Sequence, residues 1–195
     1  MDTMKFLGKF FLTVLLLLVL SLVVIYVLLQ TQWGAGWFSR YVSDKTAWHL
    51  SLSKIEHNFS SPSHIILDNF TFGHDGQPAA VVAKRVDLGL ALLQFSDPLN
   101  FGSIELRDGV VNLANLTPGD ALPFQAGRLQ LNNMRIDSPD TPLPLAAQQV
   151  NGGVMPWRPT TKSMLGSDAQ FQMSAGDLTL NKVSGANVLI QGSVS

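Results

Sequence analysis

The stretch AKRVDLGLAL, residues 83–92, sets Val86, Leu88, Leu90 and Leu92 against Asp87, Gly89 and Ala91. A period of two puts alternate side chains on opposite faces of an extended chain, so this is a strand with one apolar face. The alternation recurs on both sides of it. Trp48, Leu50 and Leu52 alternate with His49, Ser51 and Ser53, and Ile104 and Leu106 with Glu105 and Arg107. It continues through Leu129 and Leu131, Phe171 and Met173, and Leu178 and Leu180. Turn-forming residues lie between: GHDG at 73–76, Asp108-Gly109, Asn132-Asn133, Gly152-Gly153 and Ala175-Gly176-Asp177. Strands punctuated in this way predict an antiparallel sheet with one apolar face.

A short unit also repeats, apolar-x-apolar-x-x-apolar: Ile65, Leu67, Phe70; Leu129, Leu131, Met134; and Leu178, Leu180, Val183. Ile104 and Leu106 followed by Asp108-Gly109 make a looser copy. Asn, Asp or Lys often precedes the third apolar position, and a bulge there would return that residue to the same face. The segment 138–159 departs from the pattern, with Pro139, Pro142, Pro144, Pro156 and Pro159 around Gly152-Gly153. Proline cannot donate to a ladder, so a long irregular connection at a sheet edge is expected, with short extended pieces around Leu145 and Val150. Val188, Leu189, Ile190 and Val194 predict a last strand whose open apolar edge calls for a partner or a longer chain.

Residues 10–29 carry no charge and are nearly all Leu, Val, Ile or Phe. At roughly 1.5 Å per residue they span a hydrocarbon core of roughly 30 Å. Lys5 and Lys9 precede the run, and no charge follows it before Arg40. The positive-inside bias therefore puts the N-terminus in the cytoplasm and the rest of the chain outside. The run exceeds a signal-peptide core of roughly 7 to 15 residues, which predicts an uncleaved anchor. Trp33, Trp37 and Tyr41 recur every four residues beside Phe38 and Val42. They place a large apolar stripe on one side of a short helix that either lies in the membrane interface or caps the domain.

Removing Lys5 and Lys9 from the 13 basic residues and Asp2 from the 14 acidic ones leaves 11 against 13. A near-neutral balance offers no basic footprint for nucleic acid. With 0 cysteines, neither disulfides nor thiol chemistry contribute. His49, His57, His64 and His74 fall near Glu56, Asp68 and Asp75, but seven to ten residues apart, unlike zinc ligands paired on one turn. No nucleophile elbow, phosphate loop or His-Glu-x-x-His occurs. A non-enzymatic protein without metal or cofactor is expected.

The basic start at Lys9, TVLLLLVLSLVVIYVLLQTQWGAGWFSRYVSDKTAWHLSL at 13–52, SPSHIILDNFTFG at 61–73 and AKRVDLGLAL together resemble the N-terminus of the AsmA-like family. The resemblance covers about residues 5 to 93 in specific sequence and the rest in organisation. It implies an inner-membrane anchor in a Gram-negative bacterium. It also implies a β-rich periplasmic part related to the N-termini of bridge-like lipid transfer proteins, with a role in outer-membrane and envelope biogenesis. The partners it implies are membrane phospholipid and outer-membrane assembly factors. Family members usually continue well beyond this length.

The expected class is thus α+β and mainly β. Residues 1–9 are cytoplasmic, 10–29 transmembrane and 30–46 an amphipathic helix. Residues 47–195 form a curved antiparallel sheet, incomplete at its C-terminus and either an open groove or sandwich-like. Val86, Leu88, Leu90, Ile104, Leu106, Leu129 and Leu131 are placed on its apolar face as lipid-facing residues, and Trp33, Trp37, Phe38 and Tyr41 at the membrane interface. An open face would hold acyl chains, each buried methylene gaining roughly 0.8 kcal/mol. A closed core would leave a membrane-tethered interaction module acting on outer-membrane protein assembly. Alternation alone does not separate the two.

Overall fold

Helix α1, Asp2–Leu29, takes in the whole apolar run and the basic residues before it. Two of its hydroxyls are returned to its own backbone, Thr13 to the Lys9 carbonyl and Ser21 to that of Leu17, both at 2.8 Å. It is long and apolar enough to cross a membrane, and that window buries nothing against the rest of the chain. The computed structural model describes residues 2–29, 32–46, 48–116, 122–138, 144–160, 165–166 and 168–194. Positions 30 and 31, Pro139 and Pro142 lie outside them.

Helix α2, Gln32–Lys45, contains Gly34 and Gly36, which cost roughly 1 kcal/mol each relative to Ala, so packing must hold it. Ala35 and Val42 are buried, with Phe38 and Tyr41 packed against the same core. Thr46 ends the helix, its backbone amide and hydroxyl both bonding the Val42 carbonyl. The amphipathic helix therefore caps the domain with one face while Trp33 and Trp37 remain half exposed on the other.

Eleven strands follow: β1 Trp48–Ser51, β2 Lys54–His57, β3 His64–His74, β4 Val81–Gly89, β5 Asn100–Phe101, β6 Ser103–Asn112, β7 Gln125–Ala126, β8 Leu129–Ser138, β9 Leu145–Met155, β10 Ala169–Leu180 and β11 Val183–Val194. Nine of them make one sheet that does not close, in the order β1-β3-β4-β6-β8-β9-β10-β11 with β2 also on β3. Its pairs are antiparallel except β6–β8, which is parallel. A parallel pair requires a crossover. The described parts of that connection are a short 3-10 turn at Leu113–Leu116 and the strand β7.

Most residues expected to separate short strands lie inside long ones. Asp108-Gly109, Asn132-Asn133, Gly152-Gly153 and Ala175-Gly176-Asp177 belong to β6, β8, β9 and β10, and only the 73–76 group turns a hairpin. Asn69, Asp108, Asn133, Gln149 and Asn187 have φ between 51° and 55°. The left-handed conformation favoured by Asn, Asp and Gly serves a mid-strand kink as well as a turn, so composition does not distinguish them. Each kink advances the apolar face by three residues, from Leu67 to Phe70 and from Leu131 to Met134, in keeping with the repeated unit. Lys84 and Gly176 stand at the same level on β4 and β10. Pairing is interrupted at this level and resumes in the same register on either side, and shifts occur only between β8 and β9. The copy ending at Val183 is different: residues 181 and 182 form the β10–β11 hairpin turn.

The segment 138–159 also differs from expectation, because β9 is a full strand between β8 and β10. Pro144 precedes it and Pro156 and Pro159 follow it, so none removes a ladder donor. Gly152, at φ 143°, is required there because a Cβ would overlap the Gln172 carbonyl oxygen.

Candidate functional site

The apolar face of the sheet is the floor of a trough. Leu67, Phe70 and Phe72 come from β3, Val86 and Leu88 from β4, Ile104 and Leu106 from β6, Leu129 and Leu131 from β8, and Met173 from β10. In register, Leu88 faces Ile104 and Ile104 faces Leu129, while Val86, Leu106 and Leu131 make the next row. Matching rows of branched side chains on neighbouring strands are what produce a continuous apolar surface.

A partial roof comes from the crossover and from the chain after β9. Leu113, Leu116, Leu122, Phe124, Trp157 and Leu165 lie over the floor, and Phe38 of α2 closes one side. Phe124 tilts against Phe72 at 5.5 Å and Phe101 at 6.3 Å between ring centroids. Trp157 is tied to the short β7 strand through a backbone pair with Ala126, 2.9 Å in each direction. Between floor and roof is a cavity of about 190 Å³, and every described side chain lining it is apolar. An apolar cavity of about 150 Å³ stays dry and accepts small hydrocarbon molecules, so this one offers room for hydrocarbon. Over β10 and β11 no described residue extends the roof, and Leu180, Val183 and Ile190 are exposed.

Six of the seven residues expected on the apolar face, Val86, Leu88, Ile104, Leu106, Leu129 and Leu131, line this cavity. Leu90 does not. β4 ends at Gly89, and Leu90 turns out to bond the Ser63 carbonyl through its backbone amide at 2.7 Å. Of the four aromatic residues expected at a membrane surface, Phe38 is instead a wall of the trough, and Tyr41 packs on the core while stacking on Trp37 at 5.8 Å. Strand alternation carries no signal for the roof. Its one sequence signal is the spacing of Leu113 and Leu116, three apart on a single helical turn.

The outer face is polar. Glu56 pairs with Lys54 at 3.2 Å and Arg85 at 3.9 Å, and Asp68 stands among them. Burial, and then the Glu56 carboxylate beside it, hold the Asp68 carboxyl above the ordinary carboxylate range despite Arg85 and Lys54. His64 Nδ1 donates to Asp87 Oδ1 at 2.7 Å. His57 joins its ring to Tyr26 of α1 and to the Pro62 carbonyl, and His74 lies edge-on to Trp48. The histidines are thus dispersed, and among the described residues no three metal-ligating side chains converge.

No protein-family model matches the chain. It is similar to the AsmA family protein YicH of Escherichia coli (strain K12), with 48% identity over 191 residues, 98% of this chain and 33% of that protein. The chain therefore spans about a third of the length of the curated relative it matches.

Proposed function

The chain is an AsmA-like, YicH-type sequence corresponding to the N-terminal portion of such a protein, and from this premise we propose that it handles phospholipid in the bacterial envelope. In this reading α1 anchors it in the inner membrane with the N-terminus in the cytoplasm, and the sheet stands in the periplasm. The trough sequesters acyl chains during outer-membrane biogenesis, without catalysis. The observation that carries the proposal is the uninterrupted apolar lining beneath an incomplete roof. Hydrocarbon gains roughly 0.8 kcal/mol per buried methylene, and because the described lining residues are all Leu, Ile, Val, Met, Phe or Trp, selection falls on the chain rather than the headgroup.

Photo-crosslinking in native membranes tests it, with probes replacing the half-buried floor residues Leu106, Leu129 and Met173 and controls at Arg107, Gln130 and Gln172 on the outer face. Phospholipid adducts confined to the floor positions are the expected result. Crosslinks only within the protein would mean a filled core, and the tethered interaction module would replace lipid handling.

A further inference from the structure

Helix α1 touches the domain through a residue near its C-terminal end. Tyr26 Oη lies 2.8 Å from His57 Nδ1, and its ring stacks on Phe59 at 5.3 Å between centroids. The Pro62 carbonyl, 2.9 Å from His57 Nε2, can only accept, so Nε2 carries the proton and Nδ1 accepts from the tyrosine. Tyr26 is three residues before Leu29, roughly 4.5 Å along the axis. Whatever stacks on it sits at the level where α1 would leave the hydrocarbon.

That level is one end of the sheet. The β2–β3 turn at 58–63 contacts the chain just after β4, through the bond from Leu90 to the Ser63 carbonyl. Both segments expose large apolar side chains that the fold leaves uncovered: Phe59 at 77%, Leu92 at 86% and Leu90 at 38%. No Lys or Arg occurs in residues 55–63 or 86–99, so nothing there seeks anionic headgroups. The row of Leu88, Ile104 and Leu129 lies just inside, at the adjoining end of the trough.

We propose that this end of the sheet, with Phe59, Leu90 and Leu92 at its rim, is seated in the interfacial layer of the bilayer that α1 crosses. The occupant of the patch is lipid, because the patch is continuous with a helix long and apolar enough to span a membrane. Apolar side chains at such a surface reach roughly 5 to 10 Å into the headgroup boundary. Seating the rim there holds the near end of the trough against the membrane, giving acyl chains a path that does not cross water. The inference rests on α1 being a membrane anchor.

The chain has no cysteine, so single spin labels can be placed without background. The full chain is reconstituted in phosphatidylcholine vesicles with Phe59→Cys, Leu92→Cys, Val183→Cys at the opposite sheet end, or Leu18→Cys in α1. Relative collision with oxygen and with a water-soluble nickel chelate reports depth. Labels at 59 and 92 should favour oxygen several-fold more than the label at 183, and equally in 0.5 M salt. Labels at 59 and 92 matching 183 while the label at 18 reads bilayer interior would overturn the seating and leave the anchor intact. An aqueous label at 18 would overturn the anchor, and the seating with it.

Discussion

Asn133 donates its side-chain amide to Asp108 Oδ1 at 2.8 Å across the β6–β8 pair, and both residues have positive φ, 52° and 55°. The backbone amide of Asn133 in turn donates to Asn151 Oδ1 at 3.0 Å. Side-chain hydrogen bonds on the outer face thus tie the kink of β8 to that of β6 and to β9.

Replacing Asn133 by Ala puts a residue without a local polar group into the left-handed region. The expected cost is about 1–2 kcal/mol for the conformation and about 1 kcal/mol for the lost bond. Asn133→Gly tolerates the conformation and loses only the bond. Urea midpoints should rank native above Asn133→Gly above Asn133→Ala. Equal midpoints for the two variants would mean the conformation contributes nothing.

Gly109 faces β4 so closely that a Cβ would overlap the Val82 carbonyl oxygen and the Ala83 Cα. Both are backbone atoms in a paired strand and cannot give way, so Gly109→Ala should cost more than about 4 kcal/mol or prevent folding. Gly36, with nothing within 4 Å of its added Cβ, is the contrast. Gly36→Ala should stabilise by up to about 1 kcal/mol through helix propensity. Circular dichroism melts of the two variants check the pair.

Asp68 contributes a pH dependence of definite sign. Its folded-state affinity for a proton exceeds that of the unfolded chain, whose ordinary value is 3.8. Ionisation is therefore harder in the fold. The penalty is absent below the ordinary range, develops as pH rises through the raised folded value, and is complete at neutrality. Asp68→Asn removes it and should raise the urea midpoint at pH 7, the gap narrowing toward pH 3. A lower midpoint for the variant at pH 7 would show that attraction to Arg85 and Lys54 outweighs burial and Glu56.

Tyr26 links anchor and domain through its hydroxyl, on His57, and through its ring, on Phe59. Tyr26→Phe and His57→Ala, alone and together, form a double-mutant cycle whose coupling should be about 0.5–1.5 kcal/mol. Loss of the hydroxyl should also increase the mobility of a spin label at position 59. A coupling near zero would mean that stacking on Phe59, at 5.3 Å, carries the contact alone.

Much of this was legible in the chain because it depends on local periodicity. The apolar run that became α1, the amphipathic stripe of α2, and the choice of Val86, Leu88, Ile104, Leu106, Leu129 and Leu131 for one face all follow from spacing along a helix or strand. Strand length was not legible, since Asn, Asp and Gly mark a hairpin and a mid-strand kink by the same left-handed preference. Nor was β9, because the prolines around it discouraged a strand although those in the described residues fall just outside its ends. The parallel β6–β8 pair and the roof of Leu116, Leu122 and Phe124 rest on contacts between segments that no local period encodes. Which face of a strand or helix is apolar is written residue by residue along the chain. What covers that face, and where a space remains, depends on the packing of segments far apart in the chain and emerges only in the fold.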